Sequence, residues 1–366
     1  MLVSFHESYL LLVALCALFC VLTMFYSLYE HLTRGIRRKR QNRRVAVLKG
    51  LLADYAGSQG AKRERYGKKL SHILKKPNGV LALTTALNEI GWEDSAGMDP
   101  ATRRILCELL TEKYIHVYRK EDEAVQGMLI SLLTRCDASS SRLKKSLLQN
   151  LEAKNLLVRI ETMRYISVQR NRKLMLQVLE SINRQPQYFS NKLLTDTLLE
   201  FRGNREALLE ELWENLASYS RNIQIAVIEM LTVLREEMFA ERICAVAKDQ
   251  DKDKEIRIAA LKYFQTVRRP EYMKTFVQYL MDPVWEYGAV VANVLRSYDC
   301  TGFFEQLLKG CASRNWYVRN NCARTIVACC SQEQIERAVC VEDRYSKDSI
   351  QYVWETMGRE EGWHNA

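Results

Sequence analysis

Two regimes of apolar patterning divide the chain. From Tyr9 to Tyr29, 21 residues run without a formal charge. Beyond the basic stretch that follows, apolar positions return with the spacing of helices that bury one face. The sharpest block is Tyr317-Val318-Arg319-Asn320-Asn321-Cys322-Ala323-Arg324-Thr325-Ile326. Its pattern recurs in Ile256-Arg257-Ile258-Ala259-Ala260-Leu261-Lys262-Tyr263-Phe264 and in Val158-Arg159-Ile160-Glu161-Thr162-Met163-Arg164-Tyr165-Ile166. Weaker copies begin at Tyr287 (Val291, Ala292, Leu295), Ile223 (Val227, Ile228, Leu231) and Ser190 (Leu194, Leu198). The starts at 158, 190, 223, 256, 287 and 318 lie 32, 33, 33, 31 and 31 residues apart, and a seventh copy starts near Ala124 with Met128 and Leu132. At about 100° per residue, the first, fifth, sixth and ninth positions of a copy share one helix face.

A second apolar-periodic segment precedes each copy, as in Tyr272-Met273-Phe276-Val277-Leu280 and Phe303-Phe304-Leu307-Leu308. Turn signals separate the two: Asp282-Pro283, Asp251-Lys252-Asp253 and Ser313-Arg314-Asn315, with Pro270 and Pro186 at or before the start of first helices. Each unit is therefore predicted to be helix–turn–helix. The whole is an all-α solenoid of about six to seven repeats behind one N-terminal transmembrane helix. Only 5 prolines and 15 glycines punctuate 366 residues, which fits helices joined by short connections. Helical segments are also expected at Val45, Val47, Leu48, Leu51, Leu52 and at Leu81, Leu83, Leu87, Ile90. A helix from Asp99-Pro100 to about Tyr118 follows. Ile350, Val353, Trp354 and Met357 share a face in a C-terminal capping helix, which a repeat array needs at its end.

Charge gives the apolar run an orientation. At about 1.5 Å per residue it spans about 30 Å, the thickness of a bilayer core. Tyr9, Tyr26 and Tyr29 sit near its ends, where amphipathic rings prefer the headgroups. Glu7 precedes the run without a basic residue, so it does not read as a cleaved signal peptide. Arg34, Arg37, Arg38, Lys39, Arg40, Arg43 and Arg44 follow it. The expectation is a single-pass cell-membrane protein with the N-terminus outside and the chain after residue 34 cytoplasmic. The basic flank would meet anionic lipid headgroups or act as a plain stop-transfer signal. The predicted divisions are a short outer N-terminus (1–8), the membrane helix (9–29) and a basic juxtamembrane segment (30–76). A helical cap (77–123), the repeats (124–335) and a capping helix and tail (336–366) complete the chain.

The net charge of +10 is not a nucleic-acid signature. Residues 1–76 hold 15 Lys or Arg against 4 Asp or Glu, whereas the remaining 290 hold 39 against 40. The 11 cysteines include no C-x-x-C pair and fall mostly in apolar helical patterns, so they read as reduced core thiols in a reducing compartment.

The repeat resembles the HEAT type of the HEAT/armadillo superfamily over about residues 120–335. The short period, and the Val318-Arg319 and Ile256-Arg257 pairs that open second helices, are similar to bacterial membrane-anchored HEAT-repeat proteins. Arg stands at 159, 257 and 319, but Gln224 and Gly288 replace it in other copies. The resemblance implies a curved superhelix with a long concave surface for a protein partner. By the same likeness, that partner belongs to an envelope process such as a membrane glycosyltransferase complex of an exopolysaccharide system.

No catalytic, cofactor or metal site is expected. His6, His31, His72, His116 and His364 share no metal-ligand spacing, and no H-E-x-x-H, G-x-S-x-G or P-loop occurs. Trp285 and Trp316 occupy equivalent positions and are expected to pack at the inter-helix turn rather than to stack a base or sugar. The seventh position of each copy points opposite the buried face and reads Arg164, Asp196, Glu229, Lys262, Asn293, Arg324. This polar strip is the candidate partner-docking surface, its alternative being a solvated ladder. The expected function is a membrane-tethered cytoplasmic scaffold. The competing class is a HEAT-like enzyme such as an alkylpurine DNA glycosylase or a phycobilin lyase. The glycosylases need a strongly basic concave face, which the neutral repeat region does not supply.

Overall fold

The computed structural model describes the backbone of residues 2–76, 78–92, 96–117, 121–184 and 189–364. It also describes their side chains, except at 2–14, 32, 37, 117 and 357–364. Pro186 and Tyr118, and the side chains of His6, Glu7, Tyr9, Arg37, Met357 and His364, lie outside the described residues. Among those described, every regular element is helical, and they form two units, Met1–Gln169 and Arg170–Ala366. The boundary between them falls inside the stretch 124–335 that periodicity presents as one array.

The first unit holds α1 (Leu2–Ala56), α2 (Gly60–Lys75), α3 (Gly79–Ile90), α4 (Pro100–Val117), α5 (Glu123–Arg135), α6 (Ser141–Leu148) and α7 (Leu156–Val168). Helices α1, α3, α5 and α7 pack side by side as one layer, and α2, α4 and α6 back them as a second. Helix α1 changes character along its length. Its apolar side chains from Leu15 to Tyr29 are 49–71% exposed, and it is the one helix among the described residues long and apolar enough to cross a membrane. The basic stretch continues the same helix. From Val45 onward the helix enters the core through Val45, Leu48, Leu51, Leu52 and Tyr55. The stretch 30–76, which reads from sequence as a juxtamembrane segment, is therefore divided. About 15 helical residues, roughly 22 Å, separate the apolar run from the core. Residues 45–55 and α2 belong to the packed unit.

The second unit holds α8 (Arg172–Arg184), α9 (Asn191–Leu199), α10 (Arg205–Glu214), α11 (Arg221–Leu234), α12 (Ala240–Lys248) and α13 (Lys254–Thr266). It continues with α14 (Met273–Phe276), α15 (Trp285–Leu295), α16 (Phe304–Cys311), α17 (Trp316–Cys329), α18 (Gln332–Val339) and α19 (Arg344–His364). Successive members of α9, α11, α13, α15, α17 and α19 pack against one another. The expected helix over 272–280 is only partly α-helical: α14 is a single turn between 3-10 turns at Pro270–Tyr272 and Val277–Met281. The C-terminal helix does more than cover an end. Ile350 and Val353 are buried, and α19 packs on α17 as the next member of the layer.

Local chemistry explains the starts of the layer helices. Asn155, Ser190, Asp253 and Asn315 each accept a hydrogen bond from a first-turn backbone N–H of α7, α9, α13 and α17. Two of the recurring arginines fasten their helix to the segment before it. Arg257 Nε donates to the Ala247 carbonyl, and its guanidinium lies 4.4 Å from the Tyr287 ring centroid. Arg319 donates to the Ser313 and Arg314 carbonyls. Gln224 does the same with Tyr219 at 2.6 Å, so the replacement keeps the bond. At Gly288 the carbonyl of Leu280 would stand 3.0 Å from a Cβ and Val318 Cγ2 3.4 Å, so close packing takes the place of the side-chain tie.

The sequence period is also visible in side-chain pairing. Asn155 donates to Glu123, Arg242 pairs with Glu210, Lys254 with Glu286, Arg269 with Glu237 and Arg337 with Glu305, each across 32 residues. Asn321 and Thr325 donate to the Ala289 and Ala292 carbonyls across 32 and 33 residues. Exposed ion pairs of this kind contribute little stability. The buried faces carry it, with Leu194, Leu198, Ile223, Val227, Leu231, Ala260, Leu261 and Phe264 at most 1% exposed.

Candidate functional site

The faces of α9, α11 and α13 opposite that core enclose an open cleft of about 570 Å³. Its floor is Ile225, Ile258 and Ala259, each at 7–8% exposure, with Leu199 beside them and Val233 standing out on the rim. Its walls carry Asn191, Lys192, Thr195, Asp196, Arg221, Asn222, Glu229, Thr232, Glu255 and Lys262. Three acidic and three basic side chains thus surround an apolar floor. The formal charges of this lining cancel.

Three members of the polar strip, Asp196, Glu229 and Lys262, meet in this cleft. Asp196 and Lys262 are exposed, whereas Glu229 is half-buried and tied across helices. Asn191 Nδ2 donates to Glu229 Oε1 at 2.9 Å, and Thr195 Oγ1 to Oε2 at 2.8 Å. A threonine hydroxyl has one proton, and a carboxylate is its strongest nearby acceptor. Glu229 is therefore not a free surface position, and its substitution acts on the α9–α11 contact as well as on any ligand. The other strip residues lie elsewhere. Asn293 on α15 is half-buried and accepts from Arg296 at 2.5 Å. Arg324 on α17 is exposed, and Arg164 is exposed on α7 in the first unit.

The ion pairs around the cleft are distributed unevenly. Lys192 pairs with Asp196 at 3.6 Å, Arg221 with Asp253 at 3.8 Å, and Glu255 with Lys254 at 3.8 Å. Lys254 also holds Glu286 at 2.5 Å, which raises the lysine's pKa and lowers that of the carboxylate through the shared hydrogen bond. Glu229 and Lys262 have no ion-pair partner among the described residues.

The cleft floor is absent from the polar strip. Ile225 and Ile258 stand at the third position of their copies, on the solvent side of the helix. A large aliphatic repeated there, also at Ile160, is the signal in the sequence. The Trp285 and Trp316 rings pack on Tyr317 rather than in the core and stay 39% and 57% exposed. Trp285 stacks on Tyr317 at 5.3 Å, and Trp316 meets the same ring edge-on at 5.1 Å.

Elsewhere, Lys113 is buried beside a smaller cavity of about 240 Å³ lined by Ser71, Leu74, Lys75, Leu109, Glu112 and His116. Its Nζ donates to the Leu74 carbonyl and pairs with Glu121 at 2.9 Å, so the site is internally satisfied. In the basic flank, Arg34 pairs with Glu30, while Arg38, Lys39, Arg40 and Arg43 are exposed and Arg44 is half-buried. Among the described residues no group of three or more His, Cys, Asp or Glu is arranged to bind a metal ion, and the cysteines are free thiols. The chain matches no family model and no curated protein.

Proposed function

We propose that this chain is a membrane-tethered scaffold of the HEAT type that binds a protein partner through the α9–α11–α13 cleft and performs no chemistry itself. The observation that carries this reading is the cleft: an apolar floor inside a balanced polar rim, built on the solvent side of consecutive helices. That is the composition of a protein-docking surface. The HEAT assignment rests on the period of about 32 residues and on the arginines that tie second helices to the preceding turn. The tether rests on the apolar half of α1. Its one-sided basic flank orients the N-terminus outward and the helical units toward the cytoplasm. Arg38, Lys39, Arg40 and Arg43 then lie next to the inner leaflet, where each contributes about 1 kcal/mol toward anionic lipid. The likeness to anchored bacterial HEAT proteins makes an envelope glycosyltransferase complex the first partner to test. The experiment is a photoreactive amino acid at Val233, an exposed rim position, in whole cells. A discrete protein adduct, lost when Ile258→Ala is added in a variant whose melting curve shows it folded, is the expected result. Uniform lack of adducts at Val233 and at other rim positions overturns the reading.

A further inference from the structure

We infer that the cleft receives a peptide segment whose lysine or arginine side chain pairs with Glu229, flanked by aliphatic side chains that cover Ile225 and Ile258. This rests on the docking role proposed above and adds the chemistry of what docks. The cleft's charged groups are not equivalent. Four of the six already have ion partners, which leaves Glu229 and Lys262. Lys262 is exposed on a long flexible stem and keeps its ammonium in water when the cleft is covered. Glu229 has no such escape. It is half-buried, and Asn191 and Thr195 hold both of its oxygens with neutral donors. A partner laid over the floor removes the remaining water from this carboxylate. Burying an unpaired charge is costly, and the cost is offset only if the partner brings a cation to it.

The dimensions select a peptide over a small amine. Packed helices lie about 8–10 Å apart, so three in a row present a surface about 20 Å wide, the length of about six extended residues. The floor supplies apolar contact in the same cleft as Glu229, with Ile225 one turn earlier on the same helix and Ile258 on the next. A segment that alternates one cationic side chain with aliphatic neighbours fits both features.

The test uses the full chain in phosphatidylcholine nanodiscs, which present no anionic lipid to attract basic probes. Three fluorescent decapeptides of leucine and alanine are compared, identical except for a central lysine, glutamine or glutamate. Anisotropy titrations are expected to rank them lysine over glutamine over glutamate. Glu229→Gln retains an acceptor for Asn191. It should weaken the lysine peptide about tenfold or more and the glutamine peptide much less. Ile258→Ala, which removes apolar contact without burying a charge, should weaken all three, and melting curves on both variants separate lost binding from lost folding. Equal binding of the lysine peptide to wild type and to Glu229→Gln, or a preference for the glutamate peptide, overturns the inference. Failure of the lysine peptide to bind while the Val233 adduct still forms also overturns it but leaves the docking role standing. Failure of both removes the docking role as well.

Discussion

The two ends of α1 are one uninterrupted helix in two surroundings. Leu18 and Leu22 stand more than half exposed, whereas Leu48 and Leu52 are fully buried. The residue types are the same, so helix formation does not distinguish them. What differs is the distribution of apolar positions around the helix. In the first stretch they occur on all sides, which no protein layer of this unit covers. In the second they fall on one stripe, which α2, α3 and α4 cover. An apolar helix thus finds a partner by the width of its apolar face, and the reading proposed here gives the wide face to the bilayer.

Truncation tests that difference with the largest expected effect. Removal of residues 1–34 should abolish membrane fractionation and leave the thermal transition of the helical units in place. Removal of residues 1–57 takes Leu48, Leu52 and Tyr55 from the core. It should eliminate the cooperative transition of the first unit, read by circular dichroism and hydrogen exchange. If the longer deletion melts like the shorter one, the C-terminal part of α1 is dispensable and the comparison fails.

Single substitutions sharpen it. Leu52→Ala leaves a cavity against the helices that cover it and should cost about 2–5 kcal/mol in urea unfolding. Leu22→Ala should leave the same transition unmoved, because no protein group packs on it. Equal losses at both positions would place the apolar stretch in a protein interface.

Thiols give the smallest effect. Cys16 and Cys20 lie exposed on the apolar half of α1, while Cys136 and Cys322 are enclosed by protein. A water-borne alkylating reagent should miss both pairs in the native membrane, the first because hydrocarbon surrounds it and the second because protein does, and should modify the second pair once the helical units unfold. Cys340 is exposed, and Cys311 is buried. Labelling of Cys340 by an impermeant reagent, absent in intact cells and present after lysis, is the result expected of a cytoplasmic C-terminus. Burial also pushes the Cys136 and Cys322 thiols up to about 12 from the ordinary 9.0. The folded-state value lies above the unfolded one, so their contribution is complete below pH 9.0 and is lost as pH rises toward 12. Urea midpoints should fall through this window, and less so in Cys322→Ala. An unchanged decline in that variant would assign the alkaline loss to other groups.

Much of this was legible in the chain because helix periodicity is local. The buried positions of α11, α13 and α17 follow from spacing within a dozen residues, and their capping residues stand next to them. The strip was half legible for the same reason. Spacing alone places Asp196 and Lys262 on the solvent side. It does not tell that Glu229 on that side is held by Asn191 and Thr195, 38 and 34 residues earlier. The irregular Pro270–Met281 segment was hidden too, because its apolar positions keep a helical rhythm while its hydrogen bonding does not.

The sequence by itself determined an all-helical chain, its period of about 32 residues, the apolar run and the one-sided basic flank. Each of these depends on residue type and spacing within a single helix or a single turn. Tertiary structure alone decided that the C-terminal part of α1 is the first member of a packed layer and that the chain divides at Gln169–Arg170. It also decided that Ile225 and Ile258 floor a cleft in which one half-buried carboxylate has no ion-pair partner among the described residues. Those facts depend on which helices abut and on what their side chains meet there. Packing chooses such neighbours across tens of residues, a distance over which hydrophobic spacing carries no information about which polar groups will meet.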